Sequence, residues 1–388
     1  MASELPVGWR EAAVGDIADV VGGGTPKTSV AEYWGEEIGW LTPKDLRDHG
    51  ARYISHGERS ITSRGLDESA ARLLQAGTVL VSSRAPIGYV AIAARPLATN
   101  QGFKSLVLKQ GYVPEFYYYV MRTKTPEMEA VAGGSTFKEI SGRVMKTIPV
   151  PVPPIEEQRA IAEVLGALDD RIEWCAGAVG RLEAQLLELA RGEAAVAPVA
   201  DLAAYVNGGA YTKHATGSGR LVIRIAELSS GVGPSSKYAE IDAPPERTAY
   251  PGDILFSWSA TLDAYRWTAD EAVVNQHIFK VLPSEPWPAW LVYAKLKEAM
   301  PIFKKIAHDR ATTMGHIKRG HLEQVSVGLP DETHLEQVCD LGDALWGQHL
   351  RASREQLHLA NLRDMLLPRL LSGELRIEDP ARVLEAVA

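Results

Sequence analysis

Residues 154–192 read PIEEQRAIAEVLGALDDRIEWCAGAVGRLEAQLLELARG, and the spacing of their apolar side chains decides the fold. Ile161, Leu165, Leu168, Ile172, Cys175, Val179, Leu182, Leu186 and Leu189 follow one another at alternating steps of four and three. That is the a/d repeat of a coiled coil, one narrow apolar seam along a single helix. Pro154 suits a first helical position, Glu156 and Glu157 suit the first turn, and Gly192 suits the stop. At 1.5 Å per residue the helix would be roughly 55 Å long. So long a seam needs a partner, and a second helix starts after Pro330-Asp331. Its apolar positions are Leu335, Val338, Leu341 and Leu345, then Leu359, Leu362, Leu366 and Leu370. Gln348, Ala352 and Glu355 weaken the middle of that seam, so a bend or break is expected there.

The segments around these helices repeat. Asp16-Ile-Ala-Asp-Val-Val-Gly-Gly-Gly is echoed by Asp201-Leu-Ala-Ala-Tyr-Val-Asn-Gly-Gly, and Ala76-Gly-Thr-Val-Leu-Val-Ser-Ser by Pro251-Gly-Asp-Ile-Leu-Phe-Ser-Trp. Asn100-Gln101 returns as Asn275-Gln276, and Ser135-Thr-Phe-Lys-Glu-Ile as Thr312-Thr-Met-Gly-His-Ile. Ile148, Val150, Val152 and Pro153 return as Val325, Val327, Leu329 and Pro330. The period is too long for a solenoid, so a globular domain and its following helix have been duplicated. Residues 1–153 and 196–330 are the expected domains, and 154–195 and 331–388 the helical segments.

Each domain reads as α+β. Residues 78–82 and 253–257 suit short buried strands after a Gly turn, and 106–108 and 279–282 the next strands. Residues 114–122 and 288–300 suit amphipathic helices with Pro at the start. Ile148-Pro-Val-Pro-Val-Pro-Pro suits an extended edge leading into the long helix. The fold class is therefore α+β, with two similar domains separated by two long antiparallel coiled-coil helices.

The chain has 388 residues and a net charge of −8, which by itself argues against a nucleic-acid partner. The distribution argues otherwise. Residues 1–153 and 196–330 each carry a net charge of +1, whereas the two helical segments each carry −5. A neutral domain can hold a local basic face. No apolar run is long enough to cross a bilayer and MASELPVGWREAAVG lacks a signal-peptide pattern, so a cytoplasmic protein without membrane partners is expected. Cys175 and Cys339 lie far apart and suit packing rather than a disulfide.

Motifs for chemistry are missing. Gly22-Gly-Gly-Thr-Pro-Lys27-Thr28 has Pro26 where a phosphate loop requires glycine, and reads as a turn. There is no glycine-rich cofactor fingerprint, nucleophile elbow or Cys-x-x-Cys, and the late histidines lack metal-ligand spacing. No catalytic residue, metal or cofactor is expected in this chain.

Cations and hydroxyls instead cluster at repeated places, as needed to hold phosphates in register. In the first domain the candidate nucleic-acid contacts are Lys27, Lys44, Arg47, Arg84, Lys104, Thr136, Lys138 and Arg143. In the second they are Lys213, Arg224, Trp258, His277, Arg310, Thr312, Thr313, His316, Lys318 and Arg319. Asn275 and Gln276 are further candidates for base edges, while Asn100 and Gln101 suit a structural turn, since the pair recurs in two domains expected to read different sequences.

The whole chain resembles the DNA-specificity subunits of type I restriction–modification systems. The resemblance rests on Leu5-Pro-Val-Gly-Trp9, Gly23-Gly-Thr-Pro26, Trp40-Leu-Thr-Pro-Lys-Asp-Leu46 and Val81-Ser-Ser-Arg-Ala-Pro-Ile-Gly88. It continues through Thr99-Asn-Gln-Gly-Phe103, the junction from Ile148 to Arg159, and Leu366-Leu-Pro-Arg-Leu-Leu-Ser-Gly-Glu-Leu375. The second half departs from the pattern at Gly209-Ala-Tyr and at Glu332-Thr-His-Leu-Glu-Gln337. The resemblance implies two target-recognition domains reading the halves of a bipartite double-stranded DNA site. It implies a helical spacer and partner face formed by Ile161, Leu165, Leu168, Ile172, Val179, Leu182, Leu186, Leu345, Leu359, Leu362 and Leu366. The implied partners are two adenine-methyltransferase subunits using S-adenosylmethionine and motor-nuclease subunits using ATP. A DNA-binding adaptor of another defence or repair complex, and a nuclease with dispersed carboxylates, are the alternative classes.

Overall fold

The computed structural model describes residues 5–47, 49–133, 138–309, 316–377 and 379–387. The chain divides into two compact units. The first comprises residues 1–173 and 359–388, the second residues 174–358.

In the first unit, β1 (Arg10–Ala13) pairs antiparallel with β10 (Pro149–Val152), which brings the two ends of the domain together beside the long helix. A five-stranded sheet follows the order β2 (Ala18–Gly22), β9 (Lys104–Leu108), β6 (Val79–Ser83), β7 (Ile87–Ala93) and β4 (Tyr53–Ile54). A smaller sheet orders β5 (Arg59–Ile61), β3 (Trp34–Leu41) and β8 (Ala98–Thr99). The helix Pro114–Thr123 buries Phe116 through Met121. These side chains share a core with Val79, Val81 and Leu106 of the sheet.

The second unit repeats this plan. β11 (Ala195–Pro198) pairs with β20 (Ser326–Leu329). The larger sheet runs β12 (Ala203–Asn207), β19 (Ile278–Pro283), β16 (Ile254–Ser257) and β17 (Asp263–Arg266). The smaller runs β14 (Lys237–Ala239), β13 (Arg220–Ile223), β18 (Ala272–Val274) and β15 (Thr248–Ala249). The repeat extends to single hydrogen bonds. Val14 N donates to Ile148 O as Val199 N does to Val325 O, and Gly24 N to Thr99 O as Gly209 N does to Val274 O. The parallel pairing of β3 with β8 is matched by that of β13 with β18. The helix Ala289–Asp309 runs well past the end at residue 300 expected from sequence.

The first long helix, Ile155–Leu189, contributes its early turns to the first unit and its later turns to the second. The second, Glu332–Leu371, is continuous over 40 residues, so the expected bend or break is absent. Aromatic packing replaces the weak seam there: Trp346 and His349 are buried and stack at 5.9 Å. Leu341, placed in the seam by its spacing, is instead 53 % exposed. Gly342 beside it is buried, because a Cβ there would lie 2.2 Å from the Trp290 ring. Gly166 has the same role in the first helix, where a Cβ would meet Arg52 at 2.2 Å. A helical glycine costs about 1 kcal/mol relative to alanine, and here it lets a domain approach the helix closely.

Of the seam residues, Ile161, Leu165, Leu168, Leu186 and Leu359 are buried. Ile172, Val179, Leu182, Leu345, Leu362 and Leu366 are half-buried. Within the first unit the two helices run antiparallel. Glu157 pairs with Arg376 beyond the end of the second helix, and Asp169 with Arg363 inside it. Ile161 and Leu165 share the core of that unit with Leu370 and Leu371.

Candidate nucleic-acid interface

Each domain gathers polar side chains at the turn that follows its central strand. In the first, β6 ends at Ser83, whose N–H donates to Gly102 O at 2.7 Å and whose carbonyl accepts from Ile140 N at 3.0 Å. In the second, Trp258 holds the same place: its N–H donates to His277 O at 3.4 Å and its carbonyl accepts from Ile317 N at 3.0 Å. The turns beyond contain Ala85 at φ +49° and Ala260 at φ +55°. A left-handed alanine costs energy that the surrounding structure must support, and such strain gathers at functional turns. It occurs at equivalent positions of both domains.

The residues meeting there differ in charge. In the first domain Arg84 Nη1 lies 3.3 Å from Glu139 Oε2, and Lys104 Nζ lies 3.2 Å from Glu139 Oε1. Lys104 also reaches Ser83 Oγ at 3.3 Å, and Thr25 bonds to Gln101 nearby. In the second domain Trp258 packs against His277 at 5.3 Å and His316 at 6.5 Å. His277 and Gln276 are exposed, with their Nε2 atoms 3.2 Å apart. The Trp258 Nε1–H is buried without a hydrogen-bond partner among the described residues.

The structure thus brings Arg84 and Lys104 together, and Trp258, His277 and His316. The other sequence candidates lie elsewhere in their domains. Lys27 is exposed in the loop after β2, where the Trp40 and Trp34 indoles donate to Gly24 O and Lys27 O. Those bonds make the glycine run a packed turn. Lys44 is exposed and pairs with Glu58 at 2.9 Å, and Arg47 is exposed one turn on. Lys138 and Arg143 are exposed on either side of the buried Ile140. Lys213 is exposed on the short helix Tyr211–His214. Lys318 is exposed, while Arg319 donates to Tyr205 O. Thr136, Arg310, Thr312 and Thr313 lie outside the described residues.

Arg224 is committed to the fold. Its Nη2 lies 2.6 Å from Glu227 Oε1 and its Nε 3.0 Å from Glu227 Oε2, and the Glu227 side chain is only 1 % exposed. Burial alone would raise the Glu227 carboxyl; the hydrogen bonds from Arg224 and Ser236 hold it below the ordinary range. A guanidinium so engaged is poorly placed to read a base edge.

Glu139 is the site residue absent from the sequence candidates. The signal was present: the echo of residues 135–140 in 312–317 sets Glu139 opposite His316. Also unforeseen were the polar contacts that dock each domain on the helices. Tyr119 donates to Asp169 at 2.7 Å, and Arg52 pairs with Asp170. In the other unit Tyr293 donates to Glu183 at 2.7 Å, and the Arg266 guanidinium lies 3.4 Å from the centre of the Trp346 ring. Among the described residues no group of His, Cys, Asp and Glu has the arrangement of a metal site, and no helix is long and apolar enough to cross a membrane.

Residues 6–178 match a family model described as the type I restriction modification DNA specificity domain. The chain is 31 % identical over 432 aligned positions to the type I restriction enzyme MjaIX specificity subunit of Methanocaldococcus jannaschii, covering 97 % of this chain and 95 % of that one. It is 25 % identical over 173 positions to the type I restriction enzyme EcoR124I/EcoR124II specificity subunit of Escherichia coli, covering 43 % and 42 %. Its fold is similar to the crystal structure of the type I restriction–modification S subunit from M. genitalium. That match has a TM-score of 0.58 at 15 % identity and covers 96 % of this chain and 97 % of the other.

Proposed function

Because the chain belongs to the family of type I restriction enzyme specificity subunits, we propose that its two domains each read one half of a bipartite double-stranded DNA target. As a specificity subunit it is not itself an enzyme. The observation that carries the two-headed reading is the duplication, down to equivalent hydrogen bonds at Ser83 and Trp258 and equivalent left-handed alanines. Two domains of one topology with different side chains at the same turn suit two readings of one helical polymer.

In this proposal Arg84, Lys104, Trp258, His277 and His316 lie on the DNA-facing turns, and Lys27, Lys44, Arg47, Lys138, Arg143, Lys213 and Lys318 hold phosphates. The long helices fix the unread gap and offer their outer faces to two adenine-methyltransferase subunits. Those subunits bring S-adenosylmethionine and flip the target adenine out of the stack. Motor-nuclease subunits using ATP complete the restriction complex, and all of it works in the cytoplasm.

The test is a methylome. This chain is co-expressed with its neighbouring methyltransferase subunit, and modified adenines are mapped genome-wide. One motif in two parts with a fixed unread gap is expected. Methylation at a single undivided site would mean that only one domain reads DNA. A stable complex with no methylation would overturn the assignment.

A further inference from the structure

Glu139 stands between two cations that the proposed function turns toward DNA, and its place in the fold is fixed. Its N–H donates to Gly133 O at 2.9 Å, its carbonyl accepts from Gly133 N at 3.1 Å, and the next residue is tied to Ser83. Both carboxylate oxygens are engaged, one by Arg84 and one by Lys104. We propose that Glu139 is a built-in competitor for the DNA contacts of the first domain, occupying the position of a DNA phosphate between Arg84 and Lys104. The inference rests on the reading of this turn as a DNA-facing surface.

The chemistry follows from charge and exposure. A carboxylate presents two oxygens to a guanidinium and an ammonium much as a phosphate does. Arg84 and Glu139 are each about one-third exposed, with side-chain values of 34 % and 38 %, so solvent keeps their pairing weak enough to exchange, whereas Lys104 is sheltered at 13 % behind the same carboxylate. Any duplex approaching the turn must displace Glu139 before its phosphate gains the two cations. Random and target duplexes pay the same displacement, so the carboxylate lowers the affinity for both by a similar factor. Specificity is a difference of affinities and is left unchanged by a common penalty. What Glu139 sets is the absolute level of binding: a target site, with base contacts elsewhere on the domain, stays bound where random DNA, which has the phosphate contacts alone, is released. The second domain holds an imidazole, His316, at the equivalent position, so this device belongs to the first domain alone.

The experiment measures binding of the full chain to a target duplex and a random duplex across a salt series. It uses wild type, E139Q, R84A/K104A and the triple variant. E139Q is expected to bind random DNA roughly three- to tenfold more tightly, with a salt slope steeper by about one, and to gain a similar factor on target DNA. That gain should vanish when Arg84 and Lys104 are also removed. A gain that persists in the triple variant would reduce the effect to net charge and overturn the inference. E139Q weakening target binding alone would make Glu139 a base reader and likewise overturn it. Unchanged E139Q with weakened R84A/K104A refutes the role of Glu139 and leaves the DNA-facing turn intact. If R84A/K104A binds both duplexes as wild type does, the reading of this turn fails, and the inference with it.

Discussion

Arg363 of the second long helix places Nη1 2.8 Å from Asp169 Oδ1 of the first, and both side chains are sheltered, at 16 % and 13 % exposure. The Tyr119 hydroxyl donates to the other oxygen of that carboxylate. Burial first, and then Asp169, raises the Tyr119 phenol far above its ordinary range and keeps it a donor. One carboxylate thus ties the first domain to both helices. Breaking one side of a fully buried pair costs about 3–5 kcal/mol, and the remaining exposure reduces that here to about 2 kcal/mol. Asp169→Asn should lower the denaturant midpoint of this unit accordingly. Adding Arg363→Met should recover part of the loss, because it removes the sheltered guanidinium, while Asp364 and Arg122, which also lose a partner, are more exposed at 62 % and 31 %. An unchanged midpoint in Asp169→Asn would show that water already screens the pair.

The second unit should be acid-sensitive through His349. This residue is 5 % exposed, stacked on Trp346, with its Nδ1 3.4 Å from Arg266. Burial, then Arg266, pushes its imidazole down to about 4; Lys297 adds to the effect and Glu183 opposes it. An unfolded histidine titrates near about 6.5. Between those values the unfolded chain binds more protons, so stability is full above about pH 6.5 and falls as the pH drops toward 4. The shift corresponds to at most about 3 kcal/mol. Thermal unfolding followed from pH 7.5 to 4.5 should show the loss, and His349→Gln should flatten it. The same slope in the variant would place the acid sensitivity in other groups.

Arg224 and Lys318 were candidates of one kind in the sequence, and the structure separates them. Arg224→Ala removes the partner of a buried carboxylate and should cost about 1–3 kcal/mol of stability. Lys318→Ala should leave the melting temperature unchanged. It should weaken binding to target and random duplexes alike and flatten the salt slope by about one. Melting curves and salt-dependent titrations on both variants check the pair of expectations. A destabilised Lys318→Ala, or one with an unaltered salt slope, would remove Lys318 from the proposed surface.

That contrast marks how far sequence reasoning reached. The heptads and the echoes between halves are periodic signals, and both long helices and the duplicated α+β plan were legible in them. The continuity of the second helix was not. Trp346 and His349 hold its middle through contacts with Tyr293 and Arg266, which lie far away in sequence and follow no period. Leu341 fitted the spacing but yields its place to Gly342, because Trp290 claims that face. The site was legible as residue types only. Glu227, three residues after Arg224, is a local hint of a pair, but nothing in the sequence reveals that its carboxylate is buried and so commits Arg224, whereas Lys318 stays exposed. Likewise nothing in the stretch around Glu139 reveals that its carboxylate meets Arg84 and Lys104.

The helical spacer is tested by lengthening it. The units divide after Glu173 in the first helix and after His358 in the second. A heptad inserted at both places preserves the 3.5-residue period of the seam and leaves each domain's own contacts, such as Tyr119 with Asp169 and Tyr293 with Glu183, within its unit. Seven residues add about 10 Å of helix, which corresponds to roughly three base pairs of duplex. The methylated motif should keep both half-sites and gain a gap longer by about that amount. Insertion of four residues is a stutter that a coiled coil absorbs by local unwinding; it adds about 6 Å of helix and should lengthen the gap by less, roughly one to two base pairs. If the heptad variant methylates the original motif with its original gap, the helices do not set the spacing. If it methylates altered half-sites, they do not separate it from the reading.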